Sequence, residues 1–307
     1  MDMSELIAPF ARLIEDVCTP AAVRAVEEGG DTTLMWDAFA QSGFLDALVS
    51  EEAGGAGLSL AQAAPLIALL GAHAVPLPVG DTMIARALLA EAGMTAPDGP
   101  IALATGTGPV PFGRVATHIL SGSAEAPLLT AGPADATGVL SDVDGYVTGV
   151  DGRGLRPLGA VLRAILISGA AGKTLEMTVA YANERTQFGK PIGKQQAVQQ
   201  QLAVLAEQAV AARIAAGIGA RGGLPPRLID AAIAKHGASQ AAGQIAAIAH
   251  AVHGAIGISA EYDLQLLTRH LYSWRLADGS ESYWAGQLGQ ARHAASAMST
   301  ADFIRAA

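Results

Sequence analysis

Charge, aromatic rings and cysteine are all scarce in this chain of 307 residues. Only 15% of the residues are charged and 5% are aromatic, although 51% are hydrophobic. Much of that hydrophobicity is alanine, so large rings are too few to build an aromatic-rich sheet core. We therefore expect closely packed helices, in one large domain or two modest ones.

Basic clusters are also missing, and the net charge is −9. Nucleic-acid binding is excluded because no cluster of lysine and arginine could neutralise a run of phosphates. Cys18 is the single cysteine, which excludes an internal disulfide and fits a reducing compartment. The histidines and this cysteine lack the spacing of a metal site, so we predict no metal. The first residues lack the basic and apolar regions of a secretory signal, and we expect a cytoplasmic protein.

Residues 236–260 form a long uncharged run, and the mean hydropathy of the chain is +0.34. Alanine is its commonest residue, and serine, glutamine, histidine and glycine interrupt it. It has little leucine or phenylalanine to drive membrane insertion. We interpret it as a buried helix of a soluble bundle, and we predict no membrane partner.

The order of patterns along the chain predicts a mainly α fold with a small β insert. Residues 4–95 carry short helical patterns punctuated by glycine and proline, and residues 100–156 contain short strand-like runs. Helical patterns then return in five segments: 158–185, 195–217, 226–255, 259–274 and 279–297. We predict three domains: an N-terminal helical domain at 1–98, an abbreviated β domain at 99–157 and a C-terminal helical bundle at 158–307.

The most informative segment is 184–198, where one predicted helix ends and another begins. It reads E-R-T-Q-F-G-K-P-I-G-K-Q-Q-A-V. A guanidinium at a helix end can donate charge-assisted hydrogen bonds to a phosphate, and a nearby aromatic side chain can cover a ring. A basic helix C-terminus followed by a glycine-proline stop has the same composition. The segment resembles the flavin-binding turn of the acyl-CoA dehydrogenase family, E-R-x-Q-F-G-K-P-I-x-x-F-Q-A-V.

A second segment, 252–263, resembles the V-H-G-G-x-G-Y-x-x-E segment of the same family. Gly254 and Gly257 match its glycines, and Ala255 replaces the glycine between them. Small residues at these positions permit close approach of the backbone to a phosphate. A turn between two helices also needs glycine for its geometry.

Counting onward from this second segment without a gap, Arg269 falls on an arginine of the family pattern. Asp278 falls on the glutamate of the family's E-G-T segment. That glutamate is the catalytic base in many members. The resemblance therefore implies that Asp278 removes the α-proton of an acyl thioester while the β-hydrogen leaves as hydride to the flavin. Aspartate is one methylene shorter, and an N-cap for a helix beginning at Gly279 is as natural a role. Some members carry the base at the position of Glu176, which here has the pattern of a solvated residue.

The resemblance implies a fold that ends in a four-helix bundle, and FAD bound across a subunit interface. It also implies an acyl-CoA substrate and electron-transfer flavoprotein as the electron acceptor. One chain would contribute four residues to the cofactor site: Arg185, Gln187, Phe188 and Gln196. The residues facing the other side of that site would be Gly254, Ala255 and Ser280.

The middle of the chain departs from the family. Members usually have a longer middle domain with a T-E-P-x-x-G-S-D segment that lines the flavin and the substrate, and nothing within 99–157 matches it. The chain resembles the shortened subunits that assemble with a full-length dehydrogenase into α2β2 heteromers in bacterial steroid and fatty-acid degradation. The alternatives are a homomeric dehydrogenase with Asp278 as base, and a non-catalytic scaffold that retains the fold.

Overall fold

The computed structural model describes residues 3–106, 109–132, 135–136, 145–146 and 153–306. Helices dominate these residues, and short strands occupy the middle of the chain, which confirms the predicted mainly α fold with a small β insert. The α-helices are α1 (Ser4–Val17), α2 (Pro20–Glu27), α3 (Thr33–Gln41), α4 (Leu60–Ala72), α5 (Val79–Glu91), α6 (Arg156–Glu184), α7 (Gln196–Ala220), α8 (Leu228–His253), α9 (Leu264–Leu276), α10 (Glu281–Ala294) and α11 (Thr300–Ala306). The strands are β1 (Ile101–Leu103), β2 (His118–Gly122), β3 (Pro127–Ala131), β4 (Asp135–Ala136), β5 (Gly145–Tyr146), β6 (Thr186–Gln187) and β7 (Lys190–Pro191).

Side-chain caps explain where two of the short N-terminal helices begin. The Thr19 side chain accepts a hydrogen bond from the backbone N–H of Ala22, and Pro20 occupies the first turn of α2, where a missing N–H costs nothing. At α4, Ser59 and Gln62 form a reciprocal capping box. The local sequence therefore determines both starts.

Two predicted boundaries in the C-terminal half were wrong. The helix predicted at 259–274 begins only at Leu264, because Gly254–Ile258 forms a 3₁₀ turn and a non-helical stretch follows it. The helix predicted to begin at Gly279 begins two residues later. Its N-cap is Ser280, whose side chain accepts a hydrogen bond from the backbone N–H of Tyr283 at 3.5 Å.

Helix α6 is the centre of the fold and packs against α4, α7, α8 and α9. Its contact with α4 depends on glycine on both helices. A Cβ atom at Gly71 would lie 2.0 Å from the carbonyl oxygen of Leu166, and one at Gly169 would lie 1.8 Å from that of Ala68. The two backbones therefore touch directly, which explains why this core uses alanine and glycine in place of aromatic rings.

Strands β1 to β3 form one small sheet in which β2 is central. β1 pairs with β2 in parallel, and β3 pairs with β2 antiparallel. The Thr82 hydroxyl of α5 donates to the carbonyl of Ile101 and accepts from its N–H, so the sheet is anchored to the helical part. This anchor places Thr105, two residues beyond β1, against the helices. Tyr146 belongs to β5 as predicted, but the rest of the predicted strand, 147–150, lies outside the described residues.

One hydrophobic core joins α1 to α5 with α6 to α10. The division into domains at 1–98, 99–157 and 158–307 stays a prediction.

Three helices within the described ranges are long and apolar enough to cross a membrane, by length and composition alone. The share of the apolar stretch that is buried inside the protein is 72% for α6, 33% for α7 and 44% for the helix that begins at Leu228. α6 is thus a core helix, whereas α7 keeps an apolar face on the surface.

Candidate functional site

The residues after α6 form a tight hairpin with an aromatic side chain at its tip. Thr186 pairs with Pro191 and Gln187 with Lys190 across β6 and β7. The two residues between them, Phe188 and Gly189, have φ values of 52° and 78°, as a two-residue hairpin turn requires. The Phe188 side chain is 92% exposed, so the hairpin holds an aromatic ring out from the protein surface.

Arg185 and Gln187 line a cavity of about 510 Å³ together with Gly254 and Ala255 of the glycine-rich segment. We call it the Arg185 cavity. The sequence motifs were expected to face opposite sides of a cofactor, contributed by different chains. A single chain brings both motifs to one cavity, and their contribution to a cofactor site shared between chains stays a prediction.

The chemistry of the Arg185 cavity suits an anion. Arg185 is exposed, and its guanidinium has no hydrogen-bond or ion-pair partner among the described residues. Gly254 ends α8 with φ 66° and ψ −144°, and a Cβ atom there would have no neighbour within 4 Å. An uncommitted cation opposite an open glycine backbone can hold a phosphate at close range.

An aromatic stack forms one wall of this cavity, and the motif comparison did not identify it. Tyr181 stacks on His253 with ring centroids 4.4 Å apart, and its hydroxyl donates to the His253 carbonyl at 3.3 Å. The Nδ1 atom of His253 lies 2.8 Å from the Ala249 carbonyl oxygen and donates to it. Burial lowers the pKa of His253, so the ring is neutral at physiological pH. The wall is therefore rigid and uncharged, and Arg185 supplies the charge.

Two predicted cofactor residues lie apart from this group. Gln196 is the first residue of α7, and Ser280 is the N-cap of α10. Within the part of the chain that the structure describes, neither lines the Arg185 cavity. Their predicted cofactor contacts stay predictions.

Asp278 lies at a different place, on the wall of a cavity of about 170 Å³ that it shares with Thr105, Arg156 and Leu276. Its side chain is 2% exposed. Oδ1 accepts a hydrogen bond from the Thr105 hydroxyl at 2.5 Å, and Oδ2 accepts one from Nε of Arg163 at 3.0 Å. Both carboxylate oxygens are therefore already engaged inside the protein.

Arg163 also binds a second carboxylate. Its terminal nitrogens donate to both oxygens of Asp81 at 3.0 and 2.5 Å. Burial alone would lower the pKa of Arg163, but the two carboxylates outweigh it, and the pKa stays above its ordinary value. The guanidinium is therefore permanently charged and holds α5, α6 and the turn after α9 together.

These contacts argue against the predicted role of Asp278 as catalytic base. A base must present a free oxygen to the substrate proton, whereas both oxygens of Asp278 accept hydrogen bonds from side chains inside the protein. The N-cap alternative was wrong, since Ser280 caps α10, whereas the catalytic role stays a prediction. The backbone of Asp278 is left-handed, with φ 59°, and its carbonyl accepts from the indole N–H of Trp284 at 3.0 Å. Asp278 is thus built into the core.

Lys235 stabilises the same turn, and sequence reasoning missed it. Its side chain is fully buried, and Nζ donates to Ser239 Oγ at 2.9 Å, to the Arg275 carbonyl at 2.8 Å and to the Gly279 carbonyl at 2.9 Å. Burial lowers the pKa of Lys235 to about 7. The single lysine of an alanine-rich helix was the available signal, because burial of a lysine requires dedicated partners.

Glu176, the other candidate base, lies on the surface. Its side chain is 69% exposed and pairs with Lys173 at 2.9 Å. It lines neither the Arg185 cavity nor the cavity beside Asp278. Within the described ranges, no group of histidine, cysteine and carboxylate side chains is arranged to hold a metal ion.

Comparison with known proteins assigns the family. Residues 158–292 match the model of the acyl-CoA dehydrogenase C-terminal domain. The chain is 32% identical over 275 residues to acyl-CoA dehydrogenase IpdE2 of Mycolicibacterium smegmatis, covering 83% of this chain and 88% of that protein. The chain belongs to the acyl-CoA dehydrogenase family, whose members are oxidoreductases acting on acyl-CoA thioesters.

Two solved structures show the same fold. The Tcur3481-Tcur3483 steroid acyl-CoA dehydrogenase variant has a TM-score of 0.77 at 24% identity, covering 97% of this chain and 99% of that chain. The ChsE4-ChsE5 complex from Mycobacterium tuberculosis has a TM-score of 0.74 at 22% identity, covering 94% and 96%. The fold therefore matches along nearly the whole length.

Proposed function

We propose that this chain is the smaller subunit of a heteromeric acyl-CoA dehydrogenase and supplies part of an FAD site to its partner. The observation that carries this proposal is the Arg185 cavity, where a free guanidinium faces the open backbone of Gly254. The locked carboxylate of Asp278 is the second support, because it leaves this chain without a free base at the family position.

The residues of the Arg185 cavity fit the diphosphate of FAD, the cofactor of the family. Arg185 would neutralise a phosphate, and Gly254 would let the phosphate approach the backbone. Phe188 on its hairpin would cover an aromatic ring of the cofactor, and Gln187 would donate to it. When bound, FAD accepts the hydride that leaves the β-carbon of the acyl thioester. The chain's own task is to bind and orient the cofactor.

The second subunit would supply the catalytic base and the contacts to the acyl group. Each of the two solved structures described above bears the names of two proteins, and one is called a steroid acyl-CoA dehydrogenase. On α7, Val204, Val210 and Ile214 are 41%, 44% and 58% exposed, which provides an apolar surface for a neighbouring subunit. A fatty-acyl or steroid side-chain CoA thioester as substrate, electron-transfer flavoprotein as acceptor and a cytoplasmic location complete the proposal.

A homomeric dehydrogenase is the second candidate, and one observation favours it. Asp278 does line a cavity, of about 170 Å³, so a rearrangement that freed it from Arg163 would expose a carboxylate there. In that case the purified chain alone would hold FAD at full occupancy and would bleach with an acyl-CoA.

Co-purification tests the proposal directly. The gene of this chain and that of a neighbouring full-length acyl-CoA dehydrogenase would be expressed together, with a tag on this chain only. We expect a heteromer with about one FAD per pair of different chains, and little flavin on this chain alone. A monodisperse homomer with full FAD occupancy and acyl-CoA-dependent bleaching would overturn the heteromeric proposal. A colourless protein in every preparation would overturn the flavoprotein assignment as well.

A further inference from the structure

Helix α2 in the N-terminal part holds the segment that follows the Arg185 cavity. Arg24 donates from Nε to the Ala260 carbonyl at 3.1 Å and from its terminal nitrogen to the Glu261 carbonyl at 3.3 Å. The same terminal nitrogen forms an ion pair with Asp263, the N-cap residue of α9. One side chain thus fixes three points of a segment more than 200 residues away in sequence.

Glu27, one helical turn further along α2, makes the second attachment. Its carboxylate accepts from Arg269 at 2.6 Å and from Nε2 of His270 at 2.7 Å, both on α9. Burial alone would raise the pKa of Glu27, but the hydrogen bonds and charges of His270 and Arg269 outweigh it and hold the pKa below its usual range. Glu27 therefore stays ionised at neutral pH, with both oxygens paired although it is 4% exposed.

The cavity wall lies just before the residues that Arg24 holds. Gly254, Ala255 and Ile256 line the Arg185 cavity and belong to a single 3₁₀ turn. Tyr262 lies beside the His253 ring with centroids 5.3 Å apart. From Ser259 to Asp263 the chain is neither helix nor strand, so ladders of regular backbone hydrogen bonds do not hold it. Such a segment opens easily unless side chains fix it.

We infer that Arg24 and Glu27 are positioning residues for the cofactor: α2 holds segment 254–263 in the shape that the Arg185 cavity needs. Neither residue lines that cavity in the described structure, so each acts through the segment and not on the ligand. The inference rests on the proposed function, because it takes FAD as the ligand. It predicts that the N-terminal helix controls flavin retention at a site it does not touch.

Arg24→Met and Arg86→Met make a matched pair for the test. Arg86 forms an ion pair with Asp46 at 2.7 Å. The two pairs are similarly exposed: the side chains of Arg86 and Asp46 are 27% and 37% exposed, and those of Arg24 and Asp263 are 24% and 45% exposed. Both arginines lie on N-terminal helices, but Arg86 makes no hydrogen bond or ion pair with segment 254–263 among the described residues. Loss of an ion pair alone should therefore affect both variants equally.

Hydrogen exchange on the full-length chain gives the first readout, without any cofactor. We expect amides 254–263 to exchange about tenfold faster in Arg24→Met, the change expected when hydrogen bonds from a charged group are lost. Arg86→Met should leave these amides unchanged. Equal exchange of 254–263 in Arg24→Met and wild type would overturn the inference.

Flavin release from the FAD-containing assembly gives the second readout. Arg24→Met should release FAD about tenfold faster than wild type, and Arg86→Met should release it at the wild-type rate. Arg24→Lys should have an intermediate release rate, because it keeps only the ion pair. If Arg185→Ala loses flavin while Arg24→Met keeps it, the positioning role is wrong and the cofactor site stands. If Arg185→Ala also keeps it, the cofactor site itself is wrong.

Discussion

Arg163 donates from Nε to Oδ2 of Asp278 at 3.0 Å, in a place where Arg163 is fully buried and the carboxylate is 2% exposed. The residue that the motif register predicts to match the family's catalytic glutamate is thus part of the core. Because both oxygens of this carboxylate are engaged inside the protein, we expect the catalytic base to lie on another polypeptide.

Asp278→Asn should destabilise the fold by about 3 kcal/mol, because removing one partner of a buried ion pair leaves the other uncompensated. The variant keeps the shape of the side chain but removes the charge. Urea unfolding measures the loss, with Asp302→Asn on the exposed Arg305–Asp302 pair as control. In the flavin-containing assembly, Asp278→Asn should still bleach with an acyl-CoA. Folded protein that has lost all bleaching would favour the homomeric alternative with Asp278 as base.

Lys235 makes stability depend on pH. Its pKa is about 7 in the folded protein against an ordinary 10.5, so between these values the unfolded chain holds a proton that the folded chain does not. The free energy of unfolding therefore rises with pH across this window, by at most about 1.4 kcal/mol per pH unit from this group. Below pH 7 the lysine is charged in both states, and the cost of burying that charge is present in full.

The control for this pH effect is Lys235→Met, which removes the titrating group. The difference in unfolding free energy between wild type and Lys235→Met should grow in favour of wild type from pH 7 to pH 9. The slope of this difference with pH is the decisive quantity, since the methionine also removes the lysine's hydrogen bonds to the Gly279 and Arg275 carbonyls and so changes stability at every pH. Parallel pH profiles for the two proteins would contradict the assignment.

Phe188→Ala should separate stability from cofactor binding. The ring is 92% exposed, so its removal should change the free energy of unfolding by less than about 0.5 kcal/mol. Flavin should nevertheless leave the assembly faster, because the ring that covers the cofactor is gone. Stopped-flow fluorescence of released FAD measures this. Unchanged release would remove Phe188 from the cofactor site.

The exposed face of α7 should be the place where the neighbouring subunit packs. Val210→Glu combined with Ile214→Glu should prevent assembly, because charges are strongly disfavoured at the centre of an interface. Leu34→Glu, at a residue that is 83% exposed on α3, is the matched control. Light scattering after size exclusion measures the mass. An intact assembly in the α7 double variant would place the interface elsewhere.

The sequence predicted the helical order, the small β insert and the flavin-turn motif, because these depend on local periodicity and on short segments such as 184–198. The locked state of Asp278 was not predictable. It depends on Thr105, Asp81 and Arg163, which come from three distant parts of the chain and meet only in the fold. The grouping of Arg185 with Gly254 has the same origin, since α6 and α8 bring their ends together across the bundle.

The most direct test of the central claim is FAD binding by Arg185→Ala in the co-expressed assembly, with the exposed Arg12→Ala as control. Loss of the charge-assisted contact to the diphosphate should weaken FAD at least about tenfold, while Arg12→Ala retains it like wild type. Equilibrium dialysis with absorbance of bound flavin measures both. Wild-type FAD affinity in a folded Arg185→Ala assembly would contradict the account.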